Sequence, residues 1–240
     1  MEVKTPHDWS QERAELLDEL RGFAELMRHA PFQNSEGLRG VSAFALYWFV
    51  KRARPTVVFE VGVWKGFSTW LIEQAAPEAE LFSFDPVFLF EPFMDPEKVG
   101  PTYRSDRSTY STQDFSCVAI NEVVVRHPRP LAFFDDHQNK LPRLLQARDA
   151  GIKDIVFDDN SPGFLTHRTL EQERRDPASR ARLEREVERY EIFPALWPVD
   201  FDFGSVVVSE DGLDFPVDPQ LSALYEERMW HSYVTYVRLR

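Results

Sequence analysis

The chain has 240 residues, 43% of them hydrophobic and 28% charged, and a formal net charge of −12. That length suffices for one α/β domain with a sizeable core, and the negative charge argues against a nucleic-acid or anionic-membrane partner, whose phosphates it would repel. No apolar run reaches the length of a membrane span, the opening MEVKTPHDWSQERAE lacks the apolar core of a signal peptide, and the single Cys117 cannot form an internal disulfide. A cytoplasmic location and a buried cysteine are therefore expected.

In chain order, Leu16, Leu17, Leu20, Phe23, Ala24 and Met27 recur at helical spacing, which predicts an amphipathic helix from Gln11 to Arg28 with Ser10 as N-cap. Its apolar face packs on a sheet or on a second subunit, so a homo-oligomer is one option. Pro31 ends it, and Phe32 to Gly40 reads as a connector or a flap. Ser42 is placed to cap a second helix, Ala43 to Arg54, apolar almost all round and so largely buried. Pro55 stops it. Residues 1–54 thus form an N-terminal helical extension on a domain spanning 55–240.

The stretch PTVVFEVGVWKGFSTWLIEQAAPEAELFSFDP, Pro55 to Pro86, organises the rest. Thr56 to Phe59 is an apolar β-rich run of the kind buried in a parallel sheet. Gly62 and Gly66 break it and allow a sharp turn or close ligand approach. Ser68 or Thr69 can cap the following helix, which runs to Ala76. Leu81 to Asp85 is the second strand. Asp85 falls about 20 residues beyond the turn, where an acid meets ribose hydroxyls in nucleotide-type ligands. The glycine spacing is G-x-x-x-G, not the G-x-G-x-x-G of a dinucleotide site. Glu60, two residues before the first glycine, would repel a pyrophosphate and attract a cationic amino-acid moiety.

With Glu60, Gly62, Gly66, Ser68 and Asp85 in register, the stretch resembles the S-adenosylmethionine (SAM) motif of class I methyltransferases. The match is to the E-x-G-x-x-x-G-x-S form of catechol O-methyltransferase and its small relatives. The resemblance implies a Rossmann-like α/β fold: a doubly wound, mostly parallel seven-stranded sheet with an antiparallel last strand. It implies SAM as cofactor, held by Glu60, Gly62, Gly66, Ser68, Thr69 and Asp85. By order, Asp114 after the third strand matches the residue that bonds the adenine amino group. An N-cap for a helix from Ser116 to Arg126 is the other role for Asp114, and both can hold at once.

Two further apolar strands end in charge: Leu131-Ala-Phe-Phe-Asp135-Asp136-His137 and Asp154-Ile-Val-Phe-Asp158-Asp159-Asn160. In an open parallel sheet, ligands sit outside the carboxyl ends of the strands. Like charges held that close are expensive unless a cation or hydrogen bonds offset them, and oxygen ligands suit Mg²⁺ or another hard divalent ion. This layout resembles metal-dependent O-methyltransferases of the catechol and macrolide-sugar types. The resemblance implies Asp135 or Asp136 as first ligand, Asp135 also facing the cofactor, and Asp158/Asp159 or Asp159/Asn160 as the pair. The lysine base of the catechol type has no counterpart, since its place holds Gln138 or Asn139. His137 is the candidate base, as a histidine is in the sugar-methylating relatives, and neutral imidazole suits the task.

The C-terminal third predicts a helix from Ala178 to Phe193, a proline-aromatic loop from Pro194 to Phe203, and a strand over Ser205–Ser209. A short helix over Leu221–Trp230 and a strand over Tyr233–Leu239 complete it. His167 and Arg168, near the acidic pair, are expected on the surface. The function these readings favour is SAM-dependent methyl transfer to a hydroxyl of a small molecule or sugar. A nicotinamide-dependent oxidoreductase and a non-catalytic SAM-binding scaffold are the alternatives.

Overall fold

The computed structural model describes residues 12–32, 34, 37, 38, 40–193 and 233–240. Two helices, α1 (Arg13–Met27) and α2 (Gly40–Ala53), precede β1 (Val57–Val61), α3 (Phe67–Ala75) and β2 (Glu80–Phe84). A short α4 (Pro96–Val99), β3 (Ser108–Ser111), α5 (Ile120–Val124) and β4 (Pro130–Phe134) follow. The chain continues through α6 (Lys140–Asp149), β5 (Asp154–Phe157), α7 (Leu170–Glu173) and α8 (Pro177–Glu186) to β6 (Val187–Ile192) and β7 (Thr235–Leu239). Seven strands form one sheet in the order β3-β2-β1-β4-β5-β7-β6. β1 to β5 pair in parallel, and β7 runs antiparallel to both β5 and β6. Six strands therefore share one direction and the last is reversed, the doubly wound sheet expected of the class I methyltransferase fold. The order switches direction at β1, which puts a crevice above the carboxyl ends of β1, β2 and β4.

Every residue of β1 is buried, because helices cover both faces of the sheet. Val58, Leu131, Phe133 and Val156 face one core with Leu16, Leu20 and Phe23 of α1 and Phe44 and Phe49 of α2. Phe59, Ala132, Phe134 and Phe157 face the opposite core with Leu144 of α6, Leu170 of α7 and Leu183 of α8. No helix among the described residues is long and apolar enough to cross a membrane.

Several local expectations change. α2 begins at Gly40, so Ser42 lies inside the helix instead of capping it. Gly66 takes the N-cap position of α3, with φ +85°, and the hydroxyls of Ser68 and Thr69 turn inward. The helix expected over Ser116–Arg126 is split into a 3₁₀ turn, Phe115–Cys117, and α5, and Cys117 is exposed. The helix expected to reach Phe193 stops at Glu186, and Val187–Ile192 is a strand instead. Its partner β7 lies far along the chain, so local periodicity could not reveal the pairing. Glu191 is buried there, bonded to Arg52 and Arg189. The predicted strand over Ser205–Ser209, the helix over Leu221–Trp230 and the Pro194–Phe203 loop lie outside the described residues, as does Ser10.

Gly66 is required by the fold itself. A Cβ there would lie 2.0 Å from the carbonyl oxygen of Tyr103, whose own N–H donates to Lys65 O. Gly66→Ala is expected to cost about 2–4 kcal/mol in urea unfolding, from that clash and the positive φ. Gly22, inside α1 with open space around it, gives the contrast: Gly22→Ala should gain about 0.5–1 kcal/mol.

Candidate active site

A cavity of about 910 Å³ opens over the carboxyl ends of β1, β2, β4 and β5. It gathers Gly62, Asp85 and Asp114 on one side with Asp135, Asp136, His137, Asp158 and Asp159 on the other. Glu60, Gly66, Ser68, Thr69 and Asn160 do not line it. The first four belong to the predicted SAM set, and the geometry gives each a supporting task instead of a place at the cavity wall.

Glu60 points from β1 into the layer beneath α3 and is fully buried. Ser68 Oγ and Thr69 Oγ1 donate to its two oxygens at 2.6 and 2.7 Å, and Ser83 Oγ donates from β2 at 2.7 Å. The carboxylate thus fastens β1, α3 and β2 together instead of reaching for a ligand. Burial pushes its pKa up from 4.5 to about 7, against the pull of the three hydroxyls. Above the tie, Gly62 adopts φ +95°, and a Cβ there would sit 2.5 Å from the carbonyl oxygen of Asp135. The end of β4 therefore passes directly against the turn, which brings the two halves of the cavity together. Asp85 Oδ2 accepts from the N–H groups of Val63 and Trp64, at 2.9 and 3.2 Å, and Oδ1 from Val87 N–H at 3.0 Å. One lone pair on Oδ1 remains for a hydroxyl donor. Trp64, at the apex, has φ +50° and an indole 55% exposed on the cavity wall, a feature that residue spacing does not reveal.

Arg143 of α6 was not anticipated, and it reassigns two acids. Its Nη1 and Nη2 donate to the two oxygens of Asp114 at 3.0 and 2.6 Å, and its Nε donates to Asp136 Oδ2 at 2.7 Å. The guanidinium, followed by bonds from Ser116, holds Asp114 well below the usual carboxylate range. Asp114 also caps the 3₁₀ turn through Ser116 N–H, the capping role weighed for it, although on a shorter element than the helix expected. Asp136 is a partner of Arg143 and is poorly placed as a metal ligand. Asn160 is fully buried: its Nδ2 donates to Tyr190 Oη and Thr235 Oγ1, and its Oδ1 accepts from Leu170 N–H. These bonds tie that amide to the fold, and Asn160 does not line the cavity.

The remaining acids converge. Asp135, His137 and Asp159 each present a ligand atom, all within 4.8 Å of one another, and Asp158 lies beside them, nearly buried. Burial raises Asp135 well above the usual carboxylate range, and the charges of Asp158 and Asp159 raise it further. His137 Nε2 lies 3.1 Å from Asp159 Oδ2, and that bond raises the histidine pKa. His137 and Asp159 both hold positive φ, +53° and +50°, a strained conformation that surrounding contacts must maintain. Beside them, His167 Nε2 meets Asp159 O at 3.2 Å, and burial lowers its pKa to about 4. His167 is thus nearly buried, not on the surface as expected. Two carboxylate oxygens and an imidazole within that spacing fit a hard divalent cation.

Comparison with protein-family models finds no match, and comparison with curated proteins finds none either. Among solved structures, the chain is similar to an apo structure of CmcI, at 13% identity over 80% of each chain with a TM-score of 0.45. It is also similar to an O-methyltransferase from Bacillus cereus in complex with SAH, at 16% identity over 65% of this chain and 69% of that one, TM-score 0.37. A third is cofactor-bound Rv0187 from MTB, at 12% identity over 93% and 90% of the two chains, TM-score 0.41. The fold assignment rests on the chain's own strand order.

The Glu60 tie carries a pH signature. A carboxyl whose folded pKa is raised stabilises most below 4.5, and that contribution is lost as pH rises through about 7. Between about pH 5 and about pH 8 the loss is on the order of 3 kcal/mol. Glu60→Gln should flatten this fall in urea-unfolding free energy. An unchanged pH slope would remove Glu60 as its source.

Proposed function

We propose that the chain is a SAM-dependent O-methyltransferase that acts on a hydroxyl of a small molecule or sugar. The observation that carries this reading is the single cavity in which the Gly62–Asp85 turn faces the Asp135–His137–Asp158–Asp159 group. SAM supplies an electrophilic sulfonium methyl. A divalent cation held by Asp135, Asp158 and Asp159 supplies positive charge that lowers the pKa of a bound hydroxyl. The chain's own residues do the rest. Asp85 offers a free lone pair to a ribose hydroxyl, and Trp64 gives a flat apolar wall. His137 Nε2–H donates to Asp159, which leaves Nδ1 unprotonated and able to take the acceptor's proton. Asp159 both orients that ring and steadies the imidazolium that forms. Holding the acceptor oxygen in line with the methyl group contributes most of the rate.

The supports are the chain's strand order, the glycine turn and the chemistry of the acid group. The predicted nicotinamide alternative lacks a bare glycine turn for a pyrophosphate, and the turn's N–H groups at Val63 and Trp64 are already given to Asp85.

The full-length chain with Mg²⁺ present is expected to bind SAM and S-adenosylhomocysteine in titration calorimetry and to show no heat with NAD. Absence of affinity for both sulfur ligands would end this reading. With an acceptor found by screening, His137→Ala should lower turnover by about 10²–10⁴-fold while S-adenosylhomocysteine still binds. Methyl transfer should rise with pH, because protonated His137 cannot act as base. The acid limb should lie above the ordinary histidine value of 6.5, since Asp159 favours the charged ring. Asp159→Asn should move that limb to lower pH. A limb that does not move would exclude His137 as the base.

A further inference from the structure

Lys140 is the first residue of α6, and its backbone N–H donates to Arg168 O at 2.9 Å. Its side chain is fully buried, and among the described residues Nζ has no hydrogen-bond partner. The ammonium lies 6.0 Å from the centre of the Phe157 ring, in the residue that leads β5 into Asp158. Its charge is felt at Asp135, His137 and His167, lowering the pKa of each. A buried ammonium without hydrogen bonds is costly unless opposite charge stands nearby. The strand-end acids are that charge. Arg143 does not serve them, because its guanidinium is taken up by Asp114 and Asp136.

We propose that Lys140 is a fixed internal counter-cation for the strand-end acids around Asp135, and that it lowers the negative charge a divalent ion meets there. The ammonium cancels part of the negative charge that these acids would otherwise present to a divalent cation. Before the ion arrives, the ammonium offsets the repulsion that would push the two strand ends apart. Once the ion is present, the same ammonium opposes it, so binding is weaker and more easily reversed than at three bare acids. Lys140 acts through the acids and is a positioning residue, not a catalytic one. The inference deepens the divalent-cation reading above and rests on it.

Mn²⁺ titrated into the purified full-length chain, with free ion followed by electron paramagnetic resonance, tests the idea. Lys140→Met should tighten Mn²⁺ binding by about tenfold or more. It should also lower the melting temperature in the presence of a chelator. Lys140→Arg, which keeps the charge, should stay near the parent in both measurements. A folded Lys140→Met protein that binds Mn²⁺ no more tightly than the parent overturns the proposal and leaves the metal reading standing. If Lys140→Met does not fold, adding Asp135→Asn removes one acid along with the cation. Recovered folding then supports the counter-charge role, and continued failure overturns it. A parent chain that binds no Mn²⁺ overturns the metal reading and this inference together, while SAM titration still tests methyl transfer on its own.

Discussion

A fully buried carboxyl group holds the centre of this structure. Glu60 receives hydroxyl bonds from α3 through Ser68 and Thr69 and from β2 through Ser83. Each hydroxyl offsets part of the cost of burying an acid, and together they tie three elements to one point. The turn from Gly62 to Gly66 is stretched across that point. Asp85 grips the same turn from the cavity side by accepting two of its backbone N–H groups. Two acids on opposite sides of five residues leave the turn little freedom, and Trp64 is held outward in a conformation it would not choose alone.

Across the cavity, arrangement decides which acids are free to act. Asp114 and Asp136 share Arg143. Burial raises Asp135, and Asp158 and Asp159 stand close enough to raise it further. The positive φ values at His137 and Asp159 lie at the strand ends where this crowding is greatest. Strain and like-charge repulsion at one place are what a ligand-binding edge of an open sheet displays, since both are relieved or used when a cation or substrate arrives.

Much of this was legible in residue order. The apolar runs at Val57–Val61, Leu131–Phe134 and Ile155–Phe157 are nearly all apolar because they are buried on both faces, and such runs announce parallel strands. The clusters Asp135-Asp136-His137 and Asp158-Asp159-Asn160 stand out because charge directly after a buried strand must lie at a sheet edge. The strand at Val187–Ile192 was hidden, since its charged residues at 188, 189 and 191 imitate a solvated helix and its partner lies more than forty positions away. The hydroxyls of Ser68 and Thr69 were misread for a related reason. A serine near a helix start is a cap by local rules, and only the carboxylate of Glu60 beneath the helix outcompetes that role.

The amino-acid sequence by itself determined the strand pattern, the glycine turn and the set of acids that meet at the carboxyl edge, because those follow from burial periodicity and from the scarcity of charge inside strands. Tertiary structure alone decided which acid faces which partner. Arg143 and Lys140 sit three residues apart on α6, yet one pairs with Asp114 and Asp136 while the Nζ of the other is buried without a hydrogen-bond partner among the described residues. Pairing of charges depends on distances of a few ångströms between segments far apart in the chain, and no local pattern carries that information.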